Sequence, residues 1–380
     1  MINIRNKIMK GIEEGTLIHF SHTDLDGYGC HLVTRKSALL SGFPMPLTYN
    51  SDDLGEKFQY FFENVVKLFI SNNDREYTFL VTDIGDIDAA GFAERFKGKN
   101  LNLIVIDHHM INDVTKLGVE PTLNYDFEEY NISDNVTYVH TTKYAATWMY
   151  AGIMGYQAHK EFWYISEYDC GRWGEWRLDK THQPTEMSRL NQGLQIIKSV
   201  YATEKDSQIL YYLAMYAAYI TDKAVDPEVE TFGKLLDHMV NAKANENTRL
   251  YYKWVKNLVI KHVDHYDITF TAKGEDPATG TPYEKKVVVN FPENPEYLGD
   301  WALIVQPDKD EGPFSVYAKQ YLEDHISHVK GIIKYTPNFK DIVSLRSATN
   351  EVDVSLIAKA NGGGGHQRAA GFVAKPTIFM

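Results

Sequence analysis

The sequence predicts an α/β protein: a parallel sheet in the N-terminal part, a helical connector, and a smaller α/β domain at the C-terminal end. Three observations carry this expectation. Short apolar runs alternate with helical stretches through the first half, as in strand-helix-strand units around a parallel sheet. From about Thr185 to His262 the pattern changes to long helical segments, and after Asp264 strand-like runs return around turn-rich stretches. The expected divisions are 1–184, 185–263 and 264–380, in keeping with a chain too long for one ordinary domain.

The first strand is Thr16-Leu17-Ile18-His19-Phe20, followed by a helix over Tyr28 to Leu40. Thr78-Phe79-Leu80-Val81-Thr82 and Leu101-Asn102-Leu103-Ile104-Val105-Ile106 are two more strands, with a helix over about Ile87 to Lys97 between them. The connector contains helices over Asp206 to Ala224 and Pro227 to Val263. In the last part, Asp267 to Ala272 and Lys285 to Asn290 flank the turn-rich GEDPATGTPYE and form a hairpin. Trp301 to Gln306 and Phe314 to Ala318 extend a sheet, with a helix between Gln320 and Tyr335.

Composition excludes several classes. A hydrophobic content of 44% supplies real cores, so the chain is not a disordered one. The net charge of −12 argues against a protein that coats long nucleic acid by bulk attraction. With only Cys30 and Cys170 there is no disulfide framework and no Cys-rich zinc site. No signal-like or membrane-spanning apolar run occurs, and the expected location is the cytoplasm, with no membrane partner.

Each N-terminal strand runs into a polar cluster, and in open parallel sheets ligands sit beyond the carboxyl ends of strands. After the first strand come His22-Thr23-Asp24-Leu25-Asp26-Gly27, where alternate side chains His22, Asp24 and Asp26 can converge. Gly27 permits a sharp turn into the helix. Asp83, with Asp86 close by, ends the next strand; Asp107-His108-His109 ends the third; Asp169 is a fourth candidate. Such nitrogen and oxygen donors suit two divalent ions. Without cations, up to five clustered carboxylates would repel one another strongly. Two ions ~3.5–4 Å apart can activate water and stabilise the attacking and leaving oxygens of phosphoryl chemistry. Each cluster alone could be a helix cap or an ordinary loop; the series is what points to a site.

In order, HTDLDG, the VTD that ends in Asp83, Asp107-His108-His109 and Asp169 resemble the four motifs of the DHH phosphoesterase superfamily. Gly362-Gly363-Gly364-Gly365-His366-Gln367-Arg368-Ala369-Ala370-Gly371 resembles the GGGH motif of the DHH-associated substrate domain. The resemblance spans His22 to Gly371 and is nearest to nanoRNase B-type oligoribonucleases. It implies a DHH catalytic domain over 1–184 and a DHH-associated domain over 264–380. It also implies that His22, Asp24 and Asp83 hold one manganese ion, and that Asp26, Asp83, His108 and Asp169 hold the other, with Asp83 bridging. His109 would act beside the phosphate, and Asp107 would orient a histidine rather than bind metal. Asp86 has no role in this scheme beyond a helix cap.

The glycine run also has a reading of its own: successive glycines let backbone amides approach an anion, and His366 and Arg368 add donors. No Lys-Ser/Thr pair follows, so it is not the phosphate loop of nucleoside triphosphatases. Arg346 resembles a substrate-contacting arginine of the same domain, so the expected substrate-binding set is Arg346, Gly363, Gly364, Gly365, His366 and Arg368. Residues 313–380 carry eight Lys/Arg against five acids, a net +3 that leaves −15 on the rest. Trp163, Tyr164, Tyr168, Trp173 and Trp176 crowd around Asp169, where they either stack a base or pack a core.

The expected function is hydrolysis of short oligoribonucleotides to mononucleotides by a manganese-dependent phosphodiesterase of the DHH type, an exoribonuclease. Small phosphorylated nucleotides are the other substrate class: cyclic mono- or dinucleotides, or 3′-phosphoadenosine-5′-phosphate. A metal- or nucleotide-sensing protein without turnover is the alternative from outside enzymes. No long nucleic acid is expected as a partner; a homodimer is left open.

Overall fold

The computed structural model describes residues 2–52, 56–71, 75–85, 87–109, 118–124, 126–170, 185–201, 206–222, 225–276, 279–306, 314–325, 327–338, 340–349 and 351–379. Of the residues singled out above, Asp86, Trp173 and Trp176 lie outside the described residues. One compact unit takes in Met1–Cys170 and Glu186–Val240, and a second takes in Asn241–Met380.

The first unit begins with α1 (Ile2–Glu13), β1 (Leu17–His22), α2 (Leu25–Ser41), β2 (Leu47–Ser51), α3 (Glu56–Ser71), β3 (Tyr77–Thr82), α4 (Ala89–Arg95) and β4 (Leu101–Asp107). It continues with β5 (Thr122–Asn124), β6 (Phe127–Ser133), β7 (Val136–His140), α5 (Ala146–Met154), α6 (Lys160–Asp169), α7 (Glu186–Val200) and α8 (Asp206–Thr221). The strands form one sheet in the order β2-β1-β3-β4-β7-β6-β5, parallel from β2 through β7 and antiparallel beyond.

Burial on both faces explains the near-continuous apolar runs of β1, β3 and β4. Leu17, Leu80, Ile104 and Ile106 join a core that includes Val33, Met149 and Leu194. Their neighbours Ile18, Phe20, Phe79, Val81, Leu103 and Val105 join a second core with Phe58, Phe62 and Phe92. That alternation is the period of two that a strand imposes. Because β2 lies on one side of β1 and β3 on the other, the order reverses at β1. A crevice is expected at such a switch point, beyond the carboxyl ends of β1 and β3.

In the second unit, the latter part of α9 (Pro227–Val255) precedes β8 (Val259–Val263), β9 (Asp267–Glu275), β10 (Pro282–Asn290), β11 (Gly299–Val305), α10 (Phe314–Asp324) and β12 (Gly331–Thr336). These are followed by β13 (Ile342–Ser347), α11 (Val354–Ala360), β14 (Gly364–His366), β15 (Ala369–Val373) and β16 (Thr377–Phe379). A six-stranded sheet runs β14-β15-β13-β12-β11-β8, and a three-stranded one β16-β10-β9. The expected hairpin is present as β9 and β10, paired antiparallel.

Three expectations change. Phe314 to Ala318 is the start of a helix, not a strand: Phe314, Tyr317, Ala318, Tyr321 and Leu322 are all buried and recur at helical spacing. The helix from Pro227 ends at Val255 rather than Val263. The amides of Asn257 and Leu258 turn back to Trp254 and Val255, and β-branched Val259-Ile260 then pair with β11. The segment expected as helix up to Tyr335 is likewise divided, with Gly331–Thr336 as β12.

Candidate metal centre

The site lies in the first unit, at the carboxyl ends of β1, β3 and β4. His22 is the last residue of β1, Asp83 follows β3, and Asp107 closes β4. Asp24 caps α2, with Oδ1 accepting from Gly27 N at 3.0 Å, while its Oδ2 lies 3.0 Å from His22 Nδ1. A helix cap and a ligand are therefore not alternatives for this residue; each oxygen takes one role. Gly27 is required by proximity rather than by a turn, since a Cβ there would collide with the backbone of His22. The loop is held from outside as well: Asn50 Nδ2 donates to His22 O at 2.7 Å, Thr23 donates to Asp52, and Lys198 Nζ donates to Thr23 O at 2.9 Å.

Asp26 is fully buried at the N-terminus of α5, where its two oxygens accept the amides of Ala146 (2.8 Å) and Thr147 (2.9 Å). That placement satisfies a helix end with an anion. Asp26 Oδ2 is also 3.6 Å from His108 Nε2, which lies 3.2 Å from both Asp83 Oδ1 and Asp169 Oδ2. His22 Nδ1 reaches within 3.9 Å of Asp83 Oδ2. Asp107 turns toward the other histidine: its Oδ1 lies 2.8 Å from His109 Nδ1, and its Oδ2 accepts from His109 N and from Tyr138 OH. His140 Nε2, in turn, is 2.9 Å from His109 O.

Three sets of donors wholly within the first unit are close enough to share an ion: His22, Asp24 and Asp83; Asp26, Asp83 and His108; and Asp83, Asp107 and His109. Asp83 belongs to all three. Asp169 lies beside the second through His108. The buried carboxylates act on one another. Burial, then the charges of Asp24, Asp26 and Asp169, push Asp83 well above the carboxylate range. Burial, then the charges of Asp26 and Asp24, raise Asp169. Asp26 is pushed up to about 6 by burial and Asp24, against the opposing bonds from Thr147 and Ala146. For His109, burial acts downward, but the Asp107 charge and hydrogen bond prevail and raise it to about 9.

Asp83 Oδ2, Asp169 Oδ2 and His22 Nδ1 are buried without a partner in hydrogen-bond geometry. Buried polar atoms of this kind are costly unless satisfied. An oxygen- and nitrogen-bound divalent ion fits them, and thiolate has no part in the set.

In the second unit, Arg346 on β13 donates to Ser315 Oγ (2.7 Å) and Leu345 O, with its guanidinium 5.2 Å from the Phe314 ring centre. The glycine run ends α11: Gly362, at φ 82°, donates to Lys359 O, and Gly363 to Ala358 O. Those two amides are engaged within the fold, which reduces the set that could meet an anion. A Cβ at Gly363 would strike Gly371 O and Phe372, and Gly365, at φ 140°, packs on Ala370. His366 pairs with Ala369 across the hairpin of β14 and β15, and Arg368 O accepts the amide of Ser347. The aromatic residues described near Asp169 serve packing: Trp163 lies edge-on to Trp148, Tyr164 packs on the core, and Tyr168 OH accepts from Asn191.

Tyr138, His140, Thr147 and Lys198 were not visible as site residues in the sequence. His140 alone carried a signal, standing at the end of a strand like the motif residues do.

No protein-family model and no curated protein sequence matches the chain. Among solved structures, the chain is similar to a DHH-domain protein described as a member of a family of ribosomal proteins. They share 12% identity over 98% of this chain and 86% of that one, with a TM-score of 0.58. RecJ from Thermus thermophilus, in complex with Mn2+, shares 13% identity over 98% of this chain and 52% of its own, about half its length, at a TM-score of 0.46. An exonuclease RecJ bound to manganese shares 14% over 98% and 90%, at 0.43. The chain thus has the fold of a DHH-domain protein.

Proposed function

We propose that this chain is a divalent-metal-dependent phosphodiesterase that hydrolyses short oligoribonucleotides to mononucleotides. The observation that carries the reading is Asp83: a buried carboxylate common to three donor sets, with an oxygen that lacks a hydrogen-bond partner. Two divalent ions, manganese by preference, would supply water activation and charge neutralisation at the phosphate. His22 and Asp24 would hold one ion with Asp83, and Asp26, His108 and Asp169 would hold the other with it. His109, whose Nδ1 is held by Asp107 and whose pKa that carboxylate raises, is placed to donate to a phosphate oxygen or to the leaving group. Arg346, His366, Arg368 and the glycine hairpin are assigned to the substrate's phosphate or terminal nucleotide. The short-RNA preference and the nanoRNase B-type subfamily rest on the motif resemblance and on the acidic net charge. Among the described residues no helix is long and apolar enough to cross a membrane.

The test is a Mn2+-supported comparison of kcat/KM on labelled RNA of two to five nucleotides, longer RNA and DNA, cyclic dinucleotides and 3′-phosphoadenosine-5′-phosphate. The short RNAs are expected to lead. A lead by either nucleotide class would reassign the substrate, and inactivity on all of them would favour a sensor.

A further inference from the structure

We propose that a buried lattice of Ser21, Thr82 and His19 is a positioning device for Asp83, holding the Thr82–Asp83 peptide so that the carboxylate enters the donor sets. The inference rests on the metal reading above and adds residues that touch neither metal nor substrate. Asp83 has φ 56°, and it is the one non-glycine residue with positive φ among the described residues of the first unit. A left-handed backbone at such a residue persists only where its surroundings over-determine it.

The surroundings do so at both polar atoms of the peptide entering Asp83. Ser21 Oγ donates to Thr82 O at 3.0 Å, and Asp83 N donates to Ile106 O at 3.0 Å. Behind this clamp, Thr82 Oγ1 lies 2.7 Å from Ser21 Oγ and 2.8 Å from His19 Nε2. His19 Nδ1 is 2.8 Å from Thr34 Oγ1, which is 3.0 Å from Tyr150 OH.

Donor accounting gives the lattice a direction. The Ser21 hydroxyl proton goes to Thr82 O, so Ser21 Oγ receives the Thr82 hydroxyl proton, and Thr82 Oγ1 accepts from His19 Nε2–H. His19 is then a neutral imidazole whose Nδ1 is the acceptor, facing Thr34 Oγ1 and, at 3.1 Å, His31 Nδ1. Each bond orients the next, and the chain ends on the carbonyl adjoining Asp83.

Its location argues that this is not generic packing. His19, Ser21, Thr34, Thr82 and Tyr150 are fully buried, on the sheet face where Leu17, Leu80, Ile104 and Ile106 meet the apolar residues of α2 and α5. Apolar side chains would fill that layer without any need for hydrogen-bond partners.

Thr82→Val keeps the volume and removes the hydroxyl, whereas Thr82→Ser keeps it. Mn2+ binding to each full-length chain is read by isothermal titration calorimetry, with far-UV circular dichroism to confirm folding. Thr82→Val is expected to weaken binding about 10–100-fold, the range for partners that orient metal ligands, and Thr82→Ser to restore it. A folded Thr82→Val chain that binds Mn2+ as tightly as the wild type overturns the inference alone. If Thr82→Val does not fold, Ser21→Ala takes its place, with weakened binding supporting the device and unchanged binding overturning it. A wild-type chain that takes up no Mn2+ overturns the metal reading, and the inference with it.

Discussion

The two units build their candidate sites by opposite means. At the strand ends of the first unit the site is made of side chains: motif residues from β1, α2, β4 and α6 and from the end of β3 meet within a few ångströms, buried or partly buried. In the glycine hairpin of the second unit the determinants are backbone and the absence of side chains. Gly362 and Gly363 close α11, and Gly363 and Gly365 let β14 and β15 approach. A side-chain site concentrates repulsion that a cation must relieve, so it should answer to metal; a backbone site should answer to volume.

The sharpest break with that contrast would come from Asp83→Asn. Hydrolysis of a short RNA in Mn2+ is expected to fall by more than the ~10–100-fold typical of residues that only orient ligands; a smaller loss would remove Asp83 from the shared position. Next in size is metal addition. At a hundred times its Kd, Mn2+ should add about 2.7 kcal/mol to the stability of whatever binds it. Hydrogen exchange should therefore slow in β1, α2 and β3 and stay unaltered in β9 and β10; equal slowing in both would erase the distinction.

In the second unit, Gly363→Ala forces a Cβ against Gly371 O and Phe372 and should cost about 1–3 kcal/mol in urea unfolding. Unchanged stability would show that the hairpin yields easily. The smallest effect belongs to Arg368→Ala, which should raise KM about ten-fold, as for the loss of one charge-assisted hydrogen bond, with kcat little altered. An unaltered KM would take Arg368 out of the substrate site.

Much of the first unit was legible because its signals are local. β1, β3 and β4 show as apolar runs, and the ligating residue types stand where those runs stop. What stayed hidden depends on approach over long distances in sequence. Asp26 meets amides about 120 residues later, and Lys198 reaches the carbonyl of Thr23 across 175 residues. The second unit was harder still. The segment from Phe314 carries a helical stripe that a short apolar run conceals, and Val259–Val263 continues the composition of a helix while pairing with β11.

The amino-acid order by itself determined the α/β class, the strand ends and the chemistry of the donors, since hydrophobic periodicity and side-chain type need no neighbour to be read. Only the tertiary structure decided that Asp24 both caps and faces the cluster, that Asp107 turns to His109, and that Asp83 stands in a left-handed backbone while belonging to three donor sets. Those outcomes depend on β1, β3 and β4 lying side by side in one register, which brings Ser21 opposite Thr82 and Thr82 opposite Ile106.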